Sequence, residues 1–206
     1  MENDTVMAIT AEQVKQLREK TGAGMMECKS ALTEANGDQD QAVDLLRKKG
    51  LASAAKRAGR TTGNGVVGSY IHTGGKVGVL VEVNCETDFV ARTDDFQTLV
   101  KELGLHIAAA DPRYARREDV PVELLEKEKE IYRAQFADSG KPAPVVEKIV
   151  EGKLGSFYSQ IVLVDQPSVR DPDVTVAQMI AQVSAKTGEN ITVSRFARFK
   201  VGEQAE

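Results

Sequence analysis

Apolar residues recur at helical spacing through the first fifty positions of this chain, and the period switches to two after residue 66, over the stretch up to residue 84. Thr10 with Gln13 has the spacing of a capping box, and Ile9 with Val14 that of a hydrophobic staple. The pattern therefore predicts a first helix starting at Thr10 and stopping near Gly22. A second follows Gly24, with Met25, Cys28, Leu32 and Ala35 on one face, and breaks at Asn36-Gly37. Asp38 is placed to cap a third. Its Val43 and Leu46 face inward, and its basic end, Arg47-Lys48-Lys49, precedes Gly50 as the terminating residue. Residues 51–58 are alanine-rich and read as helical, and residues 59–65 have the composition of a flexible connector. The predicted division is a helical domain over 1–59 and a second domain over 60–206.

After the connector, stretches 66–72 and 76–84 flank Thr73-Gly74-Gly75, a turn suited to a β-hairpin. On the second strand Val77, Val79, Val81 and Val83 share one face and Gly78, Leu80, Glu82 and Asn84 the other. A helix over about 93–110 carries Phe96, Leu99, Val100, Leu103 and Ile107 as its stripe and ends at Asp111-Pro112. Pro121 opens a charged helix along which Leu125, Tyr132 and Phe136 recur, an exposed arm. Pro142-Ala143-Pro144 opens another, running to about Val164. Thr175 with Gln178 and Val174 with Met179 repeat the box and staple for a last helix ending at Gly188. Residues 190–201 then alternate, with Ile191, Val193, Ala197, Phe199 and Val201 on one face. The fold class predicted is α+β: an N-terminal three-helix bundle, then a core with a small antiparallel sheet and flanking helices.

Charge narrows the function. Across 206 residues, 27 basic and 31 acidic side chains leave a net charge of −4, which argues against a nucleic-acid coat or a membrane-surface protein. The one local exception is the basic cluster of Lys48, Lys49, Lys56, Arg57 and Arg60. Two cysteines, Cys28 and Cys85, lie far apart without a C-x-x-C partner and fit a reducing compartment. The acidic N-terminal stretch lacks the apolar segment of a signal peptide and no window approaches a membrane span, so a cytoplasmic protein with no membrane partner is expected.

Candidate chemistry is sparse. Gly63-Asn64-Gly65-Val66-Val67-Gly68 matches G-x-G-x-x-G, but it leaves a connector and opens a strand, whereas a dinucleotide site leaves a strand and opens a helix. His72, His106 and the two cysteines are too scattered for zinc, so neither metal nor cofactor is expected. Cys85 with a histidine base is the remaining nucleophile arrangement, set against Cys85 as small apolar filler; Asp94 and Asp95 read as helix-start acids. Without catalytic spacing elsewhere, the chain is not expected to be an enzyme. Met25 and Met26 are adjacent and cannot share one stripe, so Met25 reads as core and Met26 as available to a partner. Two readings stay open for Asp88 and Phe89, which lie on the short connection between strand and helix. In one, Asp88 caps a short helix with Phe89 packed beneath it; in the other, the ring is left free for a partner.

Three stretches, Thr21-Gly22-Ala23-Gly24-Met25-Met26-Glu27-Cys28-Lys29, Val83-Asn84-Cys85-Glu86-Thr87-Asp88-Phe89-Val90-Ala91 and Phe199-Lys200-Val201-Gly202-Glu203, resemble signatures of the translation elongation factor Ts family, in that family's order. The resemblance implies a guanine nucleotide exchange factor acting on elongation factor Tu. It implies a ubiquitin-associated-like N-terminal bundle that docks on the GTPase domain through Met25, Met26 and Lys29. Residues Thr87, Asp88, Phe89 and Val90 become a magnesium-dislocating segment, with Phe89 wedging between helices of the GTPase and Asp88 supporting it by hydrogen bonding. The long form of the family has two related core subdomains and a coiled-coil excursion, whereas this chain has one core copy. On that matching Val77, Gly78 and His106 correspond to contacts of the second subdomain with the GTPase. A single copy also implies a homodimer built by two-fold packing of the core sheets through the C-terminal strand. The competing expectation is a binding and dimerisation module without exchange activity.

Overall fold

The computed structural model describes residues 9–137 and 139–203; the acidic stretch 1–8 lies outside them. In chain order the elements are α1 (Ala11–Thr21), α2 (Met25–Glu34), α3 (Gln39–Arg57), β1 (Asn64–Ile71), β2 (Val77–Cys85), α4 (Asp88–Ala91), α5 (Asp94–Ala110), α6 (Val122–Ala134), α7 (Ala143–Ile161), α8 (Val176–Thr187) and β3 (Thr192–Lys200). They form an α+β fold with an N-terminal helical bundle and a small antiparallel sheet. Two compact units divide the chain. The first gathers the described part of Met1–Gly65 with Cys85–Phe96 and Gln178–Thr192; the second holds Val66–Asn84, Gln97–Ala177 and the described part of Val193–Glu206.

In the first unit the helix punctuation acts as read. Thr10 accepts a hydrogen bond from Gln13 N–H while the Gln13 side chain accepts from Thr10 N–H, which satisfies two of the donors a helix start leaves open. Asp38 caps α3 by accepting from the N–H groups of Asp40 and Gln41. Val14, Leu17, Cys28, Ala31, Leu32 and Ala42 make the buried centre of the bundle. Two expectations need correction. Helix α3 does not stop at Gly50 but runs on to Arg57. A mid-helix glycine costs about 1 kcal/mol, and the good helix formers of the alanine-rich stretch beyond it carry the helix through. Met25 is not core: it is 47% exposed, standing one turn before Cys28, where the buried ridge of α2 begins.

The second unit is built on a sheet of order β1-β2-β3. Val79, Val81 and Val83 are buried while Leu80 on the opposite face stays exposed, as a period of two requires. Gly68 lets α5 approach β1, since a Cβ built on it would lie 2.2 Å from Val100 Cγ1. Close packing, not phosphate binding, thus accounts for the last glycine of the G-x-G-x-x-G match. Helices α6 and α7 form a hairpin whose polar side is tied by an Arg133–Glu147 fork with N–O distances of 2.8 and 3.0 Å. The Lys153 ammonium lies over the rings of both Tyr132 and Phe136. At its base Val120, Ile161 and Val162 are buried. Pro121 stands just before α6 as its N-cap, one position earlier than the spacing implied.

His106, expected among the partner contacts, is instead 1% exposed on α5. Its Nε2 and Gln166 Oε1 lie 2.9 Å apart, and its Nδ1 accepts from Val169 N–H at 3.3 Å. That arrangement assigns the proton to Nε2 and holds the ring neutral, leaving no nitrogen for a visitor.

Gly68→Ala should lower stability by about 1 to 3 kcal/mol through overpacking against Val100. Gly59→Ala, where nothing lies within 4 Å, serves as the neutral reference in the same thermal melts. Burial pushes the His106 pKa below the ordinary histidine value of 6.5, with the Gln166 bond opposing. The unfolded chain therefore takes up a proton first as pH falls, so stability should drop below about pH 6.5 and continue dropping until the folded imidazole protonates. Urea unfolding across that range, with His106→Gln expected to flatten this part of the profile, checks it.

A candidate partner-facing site

The strand β2 ends at Cys85, and the chain then makes one helical turn, α4, before α5. Thr87, not Asp88, is the N-cap of that turn: its backbone is extended and its hydroxyl accepts from Val90 N–H at 3.4 Å. Asp88 lies in the first turn, where a carboxylate suits the helix start, and pairs with Arg92 four residues on at 2.6 Å. Val90 and Ala91 are buried and fix the turn from below. Phe89 faces away and is 78% exposed, which removes the reading in which it packs beneath Asp88.

Every polar group of Thr87 is engaged. Its N–H donates to Glu189 Oε2 at 3.0 Å and its hydroxyl to Glu189 Oε1 at 2.6 Å. Its carbonyl accepts from Ala91 N–H and from the Cys85 thiol at 3.0 Å. Burial foremost, with the Glu189 carboxylate adding, pushes the Cys85 thiol pKa upward. Cys85 thus stays a protonated donor inside the fold and is no nucleophile. Beyond α4, the Thr93 hydroxyl donates to Val90 O at 2.8 Å and accepts from Phe96 N–H, which locks the joint to α5. Nothing in the local sequence announces Glu189, because it lies about a hundred positions away; only the fold brings it here.

The same unit carries the second set of expected residues. Met26, 76% exposed, and Lys29 line a shallow depression on α2 with Ser30, Thr33 and Glu34; Met25 is exposed beside them. The loop before α2 turns at Gly22, whose φ of 68° is left-handed and whose absent side chain leaves room for the Lys186 stem. Lys186 Nζ in turn reaches Asp95 at 3.1 Å, at the start of α5. A short chain of contacts therefore ties the α2 loop to the segment that bears Phe89.

In the other unit, Val77 and Gly78 lie half-buried at the start of β2. Gly78 borders an apolar depression on the outer sheet face lined by Ile71, Leu80, Phe199 and Val201; Phe199 is 70% exposed. Of the third expected set, only His106 is withheld from the surface. Among the described residues no group of three or more His, Cys, Asp or Glu side chains could hold a metal ion, and no helix is long and apolar enough to cross a membrane.

The sequence model of the family described as Elongation factor TS matches residues 2–203. Similar proteins include the elongation factor Ts of Geobacter sulfurreducens, 62% identical over 97% of this chain and 93% of that protein, and that of Koribacter versatilis, 62% identical over 97% and 91%. The elongation factor Ts of Fervidobacterium nodosum is 60% identical over 96% of this chain and 100% of its own length. Matches of this extent show that the chain belongs to the elongation factor Ts family, the nucleotide exchange factor of elongation factor Tu.

Proposed function

We propose that this protein accelerates GDP release from elongation factor Tu in the cytoplasm by driving Phe89 into the helices around the partner's magnesium site. The observation that carries the reading is the ring's 78% exposure on a turn whose first residue, Thr87, has every polar group hydrogen-bonded. Magnesium demands near-ideal octahedral geometry, so a small displacement of the helices and loops around it loosens the ion and the β-phosphate it clamps. No covalent bond changes; release follows from differential binding. A factor that weakens nucleotide binding is weakened by nucleotide to the same degree, so rebinding of nucleotide expels it.

Met25, Met26 and Lys29 would make the docking contact on the GTPase domain. Two flexible thioethers and an ammonium give that face an adaptable apolar surface with one charge. Val77 and Gly78 would support a further contact from the sheet. A second reading, a module that binds and dimerises without exchange, is weaker because it leaves Phe89 without a use.

The outer sheet face, with Ile71, Leu80, Phe199 and Val201 exposed together, supports a homodimer formed by two-fold packing of the sheets. The second copy would supply the core half that the single-core chain lacks.

Phe89→Ala should slow release of fluorescent GDP from elongation factor Tu on the order of ten- to a hundredfold, since burying such a ring is worth about 1.5 to 3 kcal/mol. Circular dichroism should stay unchanged; release as fast as with the unaltered protein would remove Phe89 from this role. Light scattering at micromolar concentration should give twice the 22.3 kDa chain mass, and Phe199→Lys should return it to one. A single-chain mass for the unaltered protein would count against the dimer.

A further inference from the structure

The corner between β2 and α4 is held from sequence positions about a hundred residues away, and the holding is mutual. Glu189 Oε2 accepts from Glu86 N–H at 3.1 Å and Thr87 N–H at 3.0 Å, while its Oε1 accepts from the Thr87 hydroxyl at 2.6 Å. Glu86 returns the arrangement, its Oε1 accepting from Asn190 N–H at 2.6 Å and from Arg60 at 3.4 Å. Each carboxylate satisfies backbone donors of the other's segment. The Glu86 carbonyl accepts from Asn64 Nδ2 at 2.8 Å, and the buried Asn190 amide donates to the carbonyls of Ala58 and Arg60. Glu189 is itself anchored at both backbone groups, its carbonyl accepting from the Ser184 hydroxyl and its N–H donating to Thr187 Oγ1.

We infer that Glu189 is a positioning residue for exchange, setting the direction in which Phe89 leaves the fold. The inference rests on the wedge reading above. Its side chain is half-buried, and the hydrogen bonds that side chain makes go to Glu86, just before the exchange segment, and to Thr87, the first residue of that segment. Hydrogen bonds to an ionised acceptor are short and strong, and two consecutive N–H groups aimed at one oxygen fix the chain direction at that point. Without them the turn keeps its buried Val90 and Ala91 but loses the fixed start from which α4 projects. The segment must then be ordered during docking, and that cost falls on the step in which the ring enters the partner rather than on first encounter through α2.

The test uses the full chain with Glu189→Ala, Glu189→Gln and, alongside them, Phe89→Ala. Glu189→Ala should speed backbone hydrogen exchange at Glu86 and Thr87 by on the order of tenfold, leaving the amides of α1 to α3 unchanged. It should also lower the maximal rate of GDP release from elongation factor Tu about tenfold, with little change in the concentration giving half that rate. Glu189→Gln should restore both, because Oε1 can accept from the two amides while Nε2 donates to the Thr87 hydroxyl oxygen. Unchanged protection at the two amides, or lost protection with an unchanged maximal rate, would overturn the inference while a slow Phe89→Ala leaves the wedge standing. Fast release with Phe89→Ala would instead bring down the wedge and this inference together. Should Glu189→Ala fail to fold, Glu189→Asp, which keeps the charge but withdraws the carboxylate by one methylene, must show the same losses for the inference to hold.

Discussion

An aromatic ring in water is ordered only by what lies behind it. Phe89 gains nothing from its own burial, so its direction depends on the hydrogen bonds of Thr87, on Val90 and Ala91 beneath the turn, and on Thr93 at the joint with α5. A buried backbone donor without a partner costs on the order of 1 to 3 kcal/mol, so a turn in which each such group is matched has few alternatives close in energy. That constraint explains why the element bearing the ring is so short. A longer helix would offer the phenylalanine a neighbour to fold against; one turn between two fixed joints does not.

Much of the fold was legible because it is punctuated locally. Thr10 with Gln13, Asp38, Asn36-Gly37 and Thr73-Gly74-Gly75 each act within a few residues, where spacing alone decides the outcome. The alternation of valines on β2 named its buried face for the same reason. What escaped reading was decided at longer range or by a balance of small terms. Gly50 looked like a stop, yet its cost was smaller than the helix-forming preference of the residues that follow. Met25 fitted the stripe of α2 but fell beyond the end of its buried ridge. His106 is polar in composition and core in place because Gln166 and the Val169 N–H, some sixty residues on, complete its hydrogen bonds.

The site divides in the same way. Phe89, Met26 and Lys29 are candidates named from motif resemblance, and all three are exposed. Glu189 could not be named, since a glutamate before an asparagine in a short loop carries no local signal. Its meaning comes from Glu86 and Thr87, and from a unit that gathers residues of three separate stretches.

That gathering bears on how the molecule is born. The bundle and the hairpin leave the ribosome ahead of the loop carrying Glu189 and Asn190 and can form from local contacts, whereas that loop follows Glu86 by about a hundred residues. Until then the corner at Glu86 and Thr87 lacks its remote acceptor, and the ring has no settled direction. A partly made chain can thus hold a folded bundle while the corner that bears Phe89 still waits for an acceptor about a hundred residues further on.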